Sequence, residues 1–147
     1  MNTVKGIFSH ASDEWGTPKQ LFSRLNDIYD FDLDVASTGK NAMCDLYFTK
    51  ENDALGLSWT GRCWCNPPYS CAGEFVKKAI DEIQNNDYCN VVVMLLPSRT
   101  DTAWFHDLLT CLFASIEFIR GRLVFDRAKS SAPFPSIIVT LRKPSGR

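Results

Sequence analysis

The chain has 147 residues, 45% of them hydrophobic, and a formal net charge of −1. This length and composition predict one folded domain with a real core and exclude a disordered chain. The near-neutral charge argues against indiscriminate binding to nucleic acid, although it says nothing about how charge is distributed. No run of 18 apolar residues is present, and residues 1–14 lack the apolar segment of a signal peptide, so we expect a cytoplasmic protein.

The N-terminal part of the chain predicts an arm followed by a helix. Residues 1–14 are polar and lack periodicity, so we expect them to form a flexible arm. Thr17 and Pro18 predict a helix start, with Thr17 as the N-cap and Pro18 at the first helical position. Apolar residues then recur at helical spacing, which predicts an amphipathic helix over about 18–29.

The rest of the chain predicts strands that alternate with helices. In chain order they are strand 31–36, strand 46–48, strand 61–65, helix 73–85, strand 91–96, helix 102–112, strand 115–119 and strand 137–141. Such alternation predicts an α/β fold, Rossmann-like and compact, with a mainly parallel sheet and helices on both faces. We expect a single domain over residues 15–142 and a basic tail over 143–147.

Polar or proline residues stand where three of the predicted strands end. These residues are Asp34, Asn66 and Pro97. Because ligands of parallel sheets bind beyond the carboxyl ends of the strands, we expect a binding site at this edge of the sheet.

The tetrapeptide Asn66-Pro67-Pro68-Tyr69 is the most informative motif in the chain. Asn66 offers a side-chain oxygen as a hydrogen-bond acceptor, and the two prolines stiffen the backbone and leave carbonyls with no competing N–H in the turn. Tyr69 gives a flat face on which a planar ring can stack. This combination suits an amino-group methyltransferase, and the alternative is a proline-rich turn with a buried tyrosine.

The six cysteines predict free thiols that pack as small hydrophobic side chains. Cys63 and Cys65 alternate along a predicted strand, so they should share one face of it. With Cys71 their spacing matches no usual zinc site, and His10 and His106 are distant in sequence. We therefore expect neither a metal site nor a disulfide framework.

Five segments of the chain together resemble a known family. They are Trp15–Pro18, Asp32–Ser37, Trp64–Tyr69, Leu95–Asp101 and Ala132–Ser136, and in this order they resemble the small phage-type DNA N-6-adenine methyltransferases. The similarity runs from Asp13 to Leu141. It implies an S-adenosylmethionine-dependent enzyme that methylates adenine N6 in DNA, and it implies a phage or prophage origin.

The resemblance also implies which residues contact the cofactor. They are Trp15, Thr17, Pro18, Asp34, Ala36, Asp53 and Asn66. Thr17 resembles part of the element that contacts the methionine moiety, and Asp34 resembles the anchor of its ammonium group. Asp53 resembles an acidic residue that holds the cofactor adenine or the target amine. The loop after Asp34 has only Gly39 where such enzymes carry two or three glycines. A solvated strand-end or helix-capping carboxylate remains the alternative for Asp34, and an ordinary turn remains the alternative for Asp53.

The same resemblance implies a catalytic role for the tetrapeptide at 66–69. The Asn66 side-chain oxygen and the Pro67 carbonyl would accept the two N6 hydrogens, with Pro68 holding the turn. Those bonds would strengthen as positive charge grows on the nitrogen. Tyr69 would stack on an adenine flipped out of double-stranded DNA, because N6 cannot be reached inside a duplex.

Contacts to the DNA backbone are expected from basic residues in the second half of the chain. The candidates are Arg99, Arg120, Arg122, Arg127 and Lys129, with Arg142, Lys143 and Arg147 at the C-terminal end. A scattered set of surface cations is the alternative. Nothing in the chain is long enough to form a separate target-recognition domain, and the sequence does not indicate an oligomer.

Two other functions stay open on the sequence. Enzymes that methylate the side-chain amide of protein glutamine use the same tetrapeptide, because an amide NH2 poses the same chemical problem. The scarcity of glycine after Asp34 is also compatible with a non-catalytic nucleic-acid-binding relative.

Overall fold

The structure is a computed structural model that describes residues 15–49, 53–126, 128 and 130–143. Its centre is a six-stranded sheet with the order β2-β1-β3-β4-β6-β5. The strands are β1 Leu33–Asp34, β2 Leu46–Tyr47, β3 Gly61–Cys65, β4 Cys89–Pro97, β5 Ala114–Phe118 and β6 Ser136–Arg142. The first four strands run parallel, and β6 lies antiparallel between β4 and β5. The predicted mainly parallel sheet is confirmed.

Among the described residues, three helices cover the two faces of this sheet. They are α1 Lys19–Tyr29, α2 Ala72–Asn85 and α3 Ala103–Thr110. Phe22 and Leu25 of α1 pack on the face that carries Trp64, whereas α2 and α3 pack on the face that carries Cys63 and Cys65. The expectation of helices on both faces is therefore confirmed, and the two cysteines share one face as predicted.

The most buried strand, β4, explains why the sheet needs cover on both sides. Every residue from Val91 to Pro97 is buried, and alternate side chains belong to the two opposite core clusters. A strand buried on both faces can be apolar throughout, which is the pattern read from the sequence over 91–96.

Two predictions about the N-terminal elements are wrong. Thr17 is not the N-cap of α1: Pro18 holds that position in an extended conformation with ψ of 127°, and no side chain caps the helix. The predicted strand 31–36 is reduced to Leu33–Asp34. The chain turns there because the Asp34 carboxylate accepts a hydrogen bond from the Ala36 N–H two residues later, which is a local turn that competes with the strand.

The chain ends lie largely outside the described residues, and the cysteines lie within them. The expected arm at 1–14 and most of the basic tail lie outside the described residues, but Lys143 is inside and its Nζ donates to the Ile83 carbonyl at 2.6 Å. The six cysteines are free thiols, and Cys63, Cys65 and Cys89 are buried. Within the described ranges, no three metal-ligating side chains come together, and no helix has the length and apolar character to cross a membrane.

Candidate active site

A cavity of about 560 Å³ opens at the carboxyl ends of β1 and β3. This volume lies in the range of about 300–1,000 Å³ that is usual for small-molecule sites. Six of the seven expected cofactor residues line it: Trp15, Thr17, Asp34, Ala36, Asp53 and Asn66. Pro18 is not among the lining residues. Of the three predicted strand ends, Asp34 and Asn66 meet at this cavity and Pro97 does not.

The Asn66 amide has its nitrogen satisfied by hydrogen bonds and its oxygen unpaired. Its Nδ2 donates to the Trp15 carbonyl at 2.5 Å and to the Thr17 hydroxyl oxygen at 3.1 Å. Its Oδ1 is buried and has no partner among the residues that the structure describes. A carbonyl can only accept, so the amide atom that faces the Trp15 carbonyl must be the NH2 group. This orientation leaves Oδ1 available as an acceptor.

Segment 15–17, which holds the Asn66 amide, is itself fixed to the loop before β6. Gly16 and Asp126 form an antiparallel bridge, with the Asp126 N–H donating to the Gly16 carbonyl at 2.9 Å. A Cβ at residue 16 would come within 3.1 Å of the Asp126 Cβ, so the close approach favours glycine. The Trp15 ring then packs against Phe125 and Phe134 at centroid distances of 5.2 and 5.3 Å.

Asp34 is a buried carboxylate at the wall of the cavity, with only 2% of its surface exposed. Its two oxygens accept hydrogen bonds from the Ala36 N–H at 3.1 Å and the Met43 N–H at 3.0 Å. Burial nevertheless raises the pKa of Asp34 to about 6, against the lowering effect of these two bonds. The side chain is therefore charged at neutral pH, and the alternative of a solvated strand-end carboxylate is wrong.

The loop after β1 is ordered by side chains instead of glycines. The Asn41 Oδ1 accepts from the Thr38 N–H at 2.8 Å and the Thr38 hydroxyl at 2.9 Å, and it also receives the Ser37 hydroxyl. The Ser37 oxygen in turn accepts from the Gly39 N–H, where φ is +89°. Serine, threonine and asparagine of this kind give the turn geometry that a glycine-rich loop provides elsewhere.

Asp53 lies exposed at the rim of the cavity. It has a left-handed backbone with φ of 55° and precedes the 3-10 turn Ala54–Gly56. The turn that was the alternative for Asp53 is thus present, and its side chain also lines the cavity.

The rest of the tetrapeptide is divided between the cavity wall and the core. Pro68 lines the cavity, whereas Pro67 and Tyr69 are buried outside it. The expectation that both proline carbonyls lack a competing N–H is wrong for Pro68, because its carbonyl accepts from the Cys71 N–H at 2.9 Å in the turn that opens α2. No backbone N–H of the described residues bonds to the Pro67 carbonyl.

The Tyr69 ring is covered in this structure. Only 6% of the residue is exposed, and its ring meets Phe134 edge-on at 5.3 Å and Phe125 at 6.4 Å. Its hydroxyl is buried without a partner in the described part of the chain. Burial raises the pKa of Tyr69, and the positive charge of Arg99 acts in the opposite direction, so the phenol stays neutral.

The candidate DNA-contacting cations do not form one stripe. Arg99, Arg120 and Arg122 are exposed and follow the strand ends β4 and β5 at the cavity edge of the sheet. Arg142 pairs with Val91 at the opposite edge, and Lys143 follows it, because β6 runs antiparallel. Grouping these two residues with the others was therefore wrong, and Arg127, Lys129 and Arg147 lie outside the described residues.

Sequence reasoning missed much of the cavity wall. The lining residues that it did not identify are Thr38, Asn41, Thr49, Ala54, Leu55, Pro68 as a wall residue, Ser70, Cys71 and Phe75. The turn-forming composition of residues 37–41 was a usable signal for part of this set. The apolar lining residues gave no such signal, because an apolar side chain in a cavity wall cannot be distinguished by sequence from one in the core.

The fold and the cavity define a class of protein. A mainly parallel α/β sheet with a ligand-sized cavity at its carboxyl edge is a Rossmann-like arrangement, in which ligands bind beyond the carboxyl ends of the strands. The crystal structure of the 23S rRNA methyltransferase ErmE has the same fold, with a TM-score of 0.57, 11% identity, and coverage of 90% of this chain and 70% of that one. The family follows from sequence: the DNA N-6-adenine-methyltransferase (Dam) family matches residues 6–143, and the chain belongs to that family.

Individual relatives agree with this assignment. The DNA N-6-adenine-methyltransferase of Escherichia phage T1 is 38% identical over 96 residues, which cover 63% of this chain and 39% of the relative. The protein of the same description from Haemophilus phage HP1 (strain HP1c1) is 38% identical over 108 residues, which cover 71% and 61%. The putative methyltransferase YfdM of Escherichia coli (strain K12) is 37% identical over 67 residues, covering 40% and 74%. The alignments thus span less than two thirds of the two phage relatives.

Proposed function

We propose that this protein transfers a methyl group from S-adenosylmethionine to N6 of adenine in double-stranded DNA. The observation that carries the proposal is the Asn66 amide, whose NH2 is held by the protein while its Oδ1 has no partner among the described residues. A buried polar atom without a partner is unfavourable unless something else supplies one. In an enzyme of this family, the amine of the substrate would be the hydrogen-bond partner of the Asn66 Oδ1.

The cavity fits a cationic cofactor. Asp34 is a buried carboxylate for which the described residues provide no salt-bridge partner, and each of its oxygens retains a free acceptor direction. Burying a charge alone is costly, so a ligand that brings a positive charge to this wall would be stabilised. S-adenosylmethionine has an ammonium group and supplies an electrophilic methyl group at its sulfonium. Asp34 would hold the ammonium, and Asp53 at the rim would contact the nucleoside part.

The reacting amine would be held by two acceptors. Asn66 Oδ1 and the Pro67 carbonyl would each accept one N6 hydrogen, which localises the nitrogen lone pair and orients it for in-line attack. As positive charge develops on N6, both hydrogen bonds become charge-assisted and therefore favour the transition state over the ground state. The new carbon–nitrogen bond would form as the carbon–sulfur bond breaks, so that S-adenosylhomocysteine leaves and the methylated cation then loses a proton to water. No strong base is needed before transfer, because this cation is acidic.

The target base would have to displace part of an aromatic cover. Both the Tyr69 ring and the Asn66 Oδ1 are shielded, and Phe134 packs edge-on against Tyr69. Tyr69 would stack on the extruded adenine after Phe134 moves aside. Removal of the base from the duplex is required in any case, because N6 is paired inside DNA.

The DNA backbone would be contacted by the cations at the cavity edge of the sheet. Arg99, Arg120 and Arg122 are exposed there, and Arg127 and Lys129 belong to the same stretch of chain. Contacts of this type give little sequence selectivity and make affinity fall steeply with salt concentration.

The test uses labelled S-adenosylmethionine with two acceptors, unmethylated duplex DNA and a mixture of unmodified proteins. Nucleoside analysis of the DNA should show labelled N6-methyladenine. Asn66→Ala should abolish most of it, whereas Asn85→Ala, which removes an exposed asparagine bonded to Asp81 on α2, should not. Label in protein glutamine with none in DNA would replace the proposal with amide methylation. Failure to bind the cofactor at millimolar concentration would point to the non-catalytic relative.

A further inference from the structure

We infer that Thr17 is a positioning residue that fixes the orientation of the Asn66 amide, rather than a cap of α1. The inference rests on the proposed function for the identity of the group that Asn66 accepts. The orientation itself is a property of the protein and can be measured without turnover.

The Thr17 hydroxyl oxygen accepts two hydrogen bonds from buried donors. The Asn66 Nδ2 donates to it at 3.1 Å and the Trp64 indole Nε1 donates at 3.3 Å. A hydroxyl oxygen has two lone pairs, so these two donors occupy both of them and the hydroxyl hydrogen points away from Asn66. Trp64 is fully buried in β3, and this burial fixes the position of its indole N–H. Thr17, itself 8% exposed, therefore presents an acceptor to the Asn66 Nδ2.

The reversed amide is excluded by this arrangement. Turning the Asn66 amide by 180° would bring Oδ1 against the Trp15 carbonyl, which cannot donate, and would remove the Nδ2 hydrogen bond to the Thr17 oxygen. It would also give the substrate amine a donor in place of the acceptor that it needs. The two protein acceptors thus consume both amide hydrogens and leave Oδ1 as the single unpaired atom of the amide.

The same contacts also strengthen the acceptor. When both hydrogens of an amide are donated, the group is polarised and its oxygen becomes a better acceptor, an effect of about 10–30% per bond in condensed phases. In a water-poor site this polarisation favours the state in which positive charge lies on the substrate nitrogen. Thr17 acts on the reaction through Asn66, without contact to the reacting atoms.

This assignment differs from a cofactor contact in what its loss would change. Thr17 also lines the cavity, so a direct role in holding the methionine moiety would appear in cofactor affinity. A positioning role would appear in kcat, because the acceptor is used most strongly in the transition state.

The first experiment compares Thr17→Val with Thr17→Ser. Valine keeps the shape and removes the acceptor, and we expect kcat to fall about tenfold with the Kd for S-adenosylmethionine within about twofold, since one neutral hydrogen bond is lost. Serine keeps the oxygen and should restore kcat to within about twofold of the parent. Thr110→Val, at an exposed threonine whose hydroxyl bonds the Asp107 carbonyl, is the matched control. A Kd that rises tenfold with unchanged kcat would overturn the inference in favour of a cofactor contact.

A double-mutant cycle separates positioning from general packing. In an Asn66→Ala background, Thr17→Val should lower kcat by less than about twofold, because the group that it orients is gone. If the tenfold loss persisted in that background, Thr17 would act independently of Asn66 and the inference would be wrong. Thr17→Ala serves in the same cycle if the valine variant proves unfolded by circular dichroism.

An NMR measurement keeps the inference separate from the proposed function. In the parent and in Thr17→Ser, the two side-chain N–H protons of Asn66 should exchange slowly with water, as expected for hydrogen-bonded and buried groups. In Thr17→Val their exchange should quicken by at least about tenfold, while backbone amides of β4 stay unchanged. If the exchange rates behave in this way but the protein forms no N6-methyladenine, the positioning role of Thr17 would stand and the proposed methylation of DNA would be rejected. Rapid exchange in the parent would reject the positioning whatever the activity.

Discussion

Glu82 and Asn66, at opposite ends of the sheet, differ in how completely their polar atoms are hydrogen-bonded. Glu82, on α2, accepts from the Trp59 N–H at 2.6 Å, from the Asn86 Nδ2 at 2.8 Å and from the Lys78 ammonium at 3.2 Å. Asn66 at the other end has both amide hydrogens donated and its oxygen without a partner among the described residues. The first arrangement is complete within the protein, whereas the second leaves one acceptor unused among the described residues.

This difference separates a structural network from a binding group. Both residues are held by backbone and side-chain partners, so burial and hydrogen bonding alone do not mark a functional site. A binding group is distinguished by its position at a cavity wall and by one unused acceptor, while its remaining polar atoms are fixed by the protein. By that criterion removal of Glu82 should affect folding, and removal of Asn66 should affect chemistry.

The largest expected effect is the loss of turnover in Asn66→Ala. Removing one acceptor of a group that carries developing charge raises the barrier by about 2.7–4 kcal/mol, which corresponds to a 10²–10³-fold lower kcat. Rates of N6-methyladenine formation per folded molecule would show this, because the variant also loses the two hydrogen bonds from Nδ2 and should be somewhat less stable. A variant whose rate stays within threefold of the parent would disprove the acceptor role.

Glu82→Ala should give the opposite pattern. It leaves the Trp59 N–H, the Asn86 amide and the Lys78 ammonium without their shared acceptor, and we expect the free energy of unfolding to fall by about 2–4 kcal/mol. Urea titration would measure this, and kcat per folded molecule should stay near that of the parent. Exposed Glu74→Ala, on the first turn of the same helix, is the control.

The pH dependence of that stability has a definite sign. Burial acts to raise the pKa of Glu82, but the hydrogen bonds from Trp59, Asn86 and Lys78 outweigh it, and the pKa lies below its ordinary value. The stabilisation is therefore present above the pKa of the unfolded chain and is lost as pH falls through the lower pKa of the folded state. The difference in stability between parent and Glu82→Ala should shrink in acid.

The sequence predicted the elements better than it predicted the contacts between them. Strand 61–65, the three helices and the buried strand after α2 follow from periodicity, which depends on neighbours only a few residues away. The hydrogen bond from Asn66 to Thr17 joins residues 49 apart in sequence, and local rules assigned Thr17 to a helix cap instead. The Arg142 position was missed for a related reason: the antiparallel direction of β6 is set by tertiary pairing, which the chain order does not reveal.

The tetrapeptide at 66–69 also shows that local sequence does not predict the contacts made by the fold. Its chemistry could be read residue by residue, and Asn66 lies at the cavity as expected. The Tyr69 ring is covered by Phe125 and Phe134, which lie more than 50 residues later in the chain, so no local sequence pattern predicts this contact. A motif thus identifies the groups that take part, whereas the accessibility of each group is decided by the fold.

Asp34 offers a smaller effect that tests the cavity itself. Its pKa is raised to about 6 by burial, and a bound ammonium needs the carboxylate. Below this pH the free protein holds a proton that binding must release, so affinity for S-adenosylmethionine should fall by up to about tenfold per pH unit between pH 6 and pH 5. Calorimetry on Asp34→Asn should show weaker binding at pH 7 and a flat profile below it.

A ligand control isolates the carboxylate–ammonium contact. Methylthioadenosine has the nucleoside and sulfur of the cofactor but no ammonium group, so its affinity should not depend on pH between 5 and 7. If its profile followed that of S-adenosylmethionine, a group other than Asp34 would be titrating, and the proposed anchor would have to be abandoned.

The smallest expected effect comes from Tyr69→Phe, which asks whether every unpaired buried atom is a binding group. The Tyr69 hydroxyl resembles the Asn66 oxygen in having no partner among the described residues, but Tyr69 does not line the cavity. Removing a buried hydroxyl that makes no bond should leave the free energy of unfolding unchanged or raise it by up to about 1 kcal/mol. The ring remains available for stacking, so kcat should stay within twofold, with exposed Tyr88→Phe as the control. A tenfold loss of kcat would instead assign the hydroxyl a contact to the flipped base, and the cavity wall alone would then no longer distinguish reserved atoms from merely buried ones.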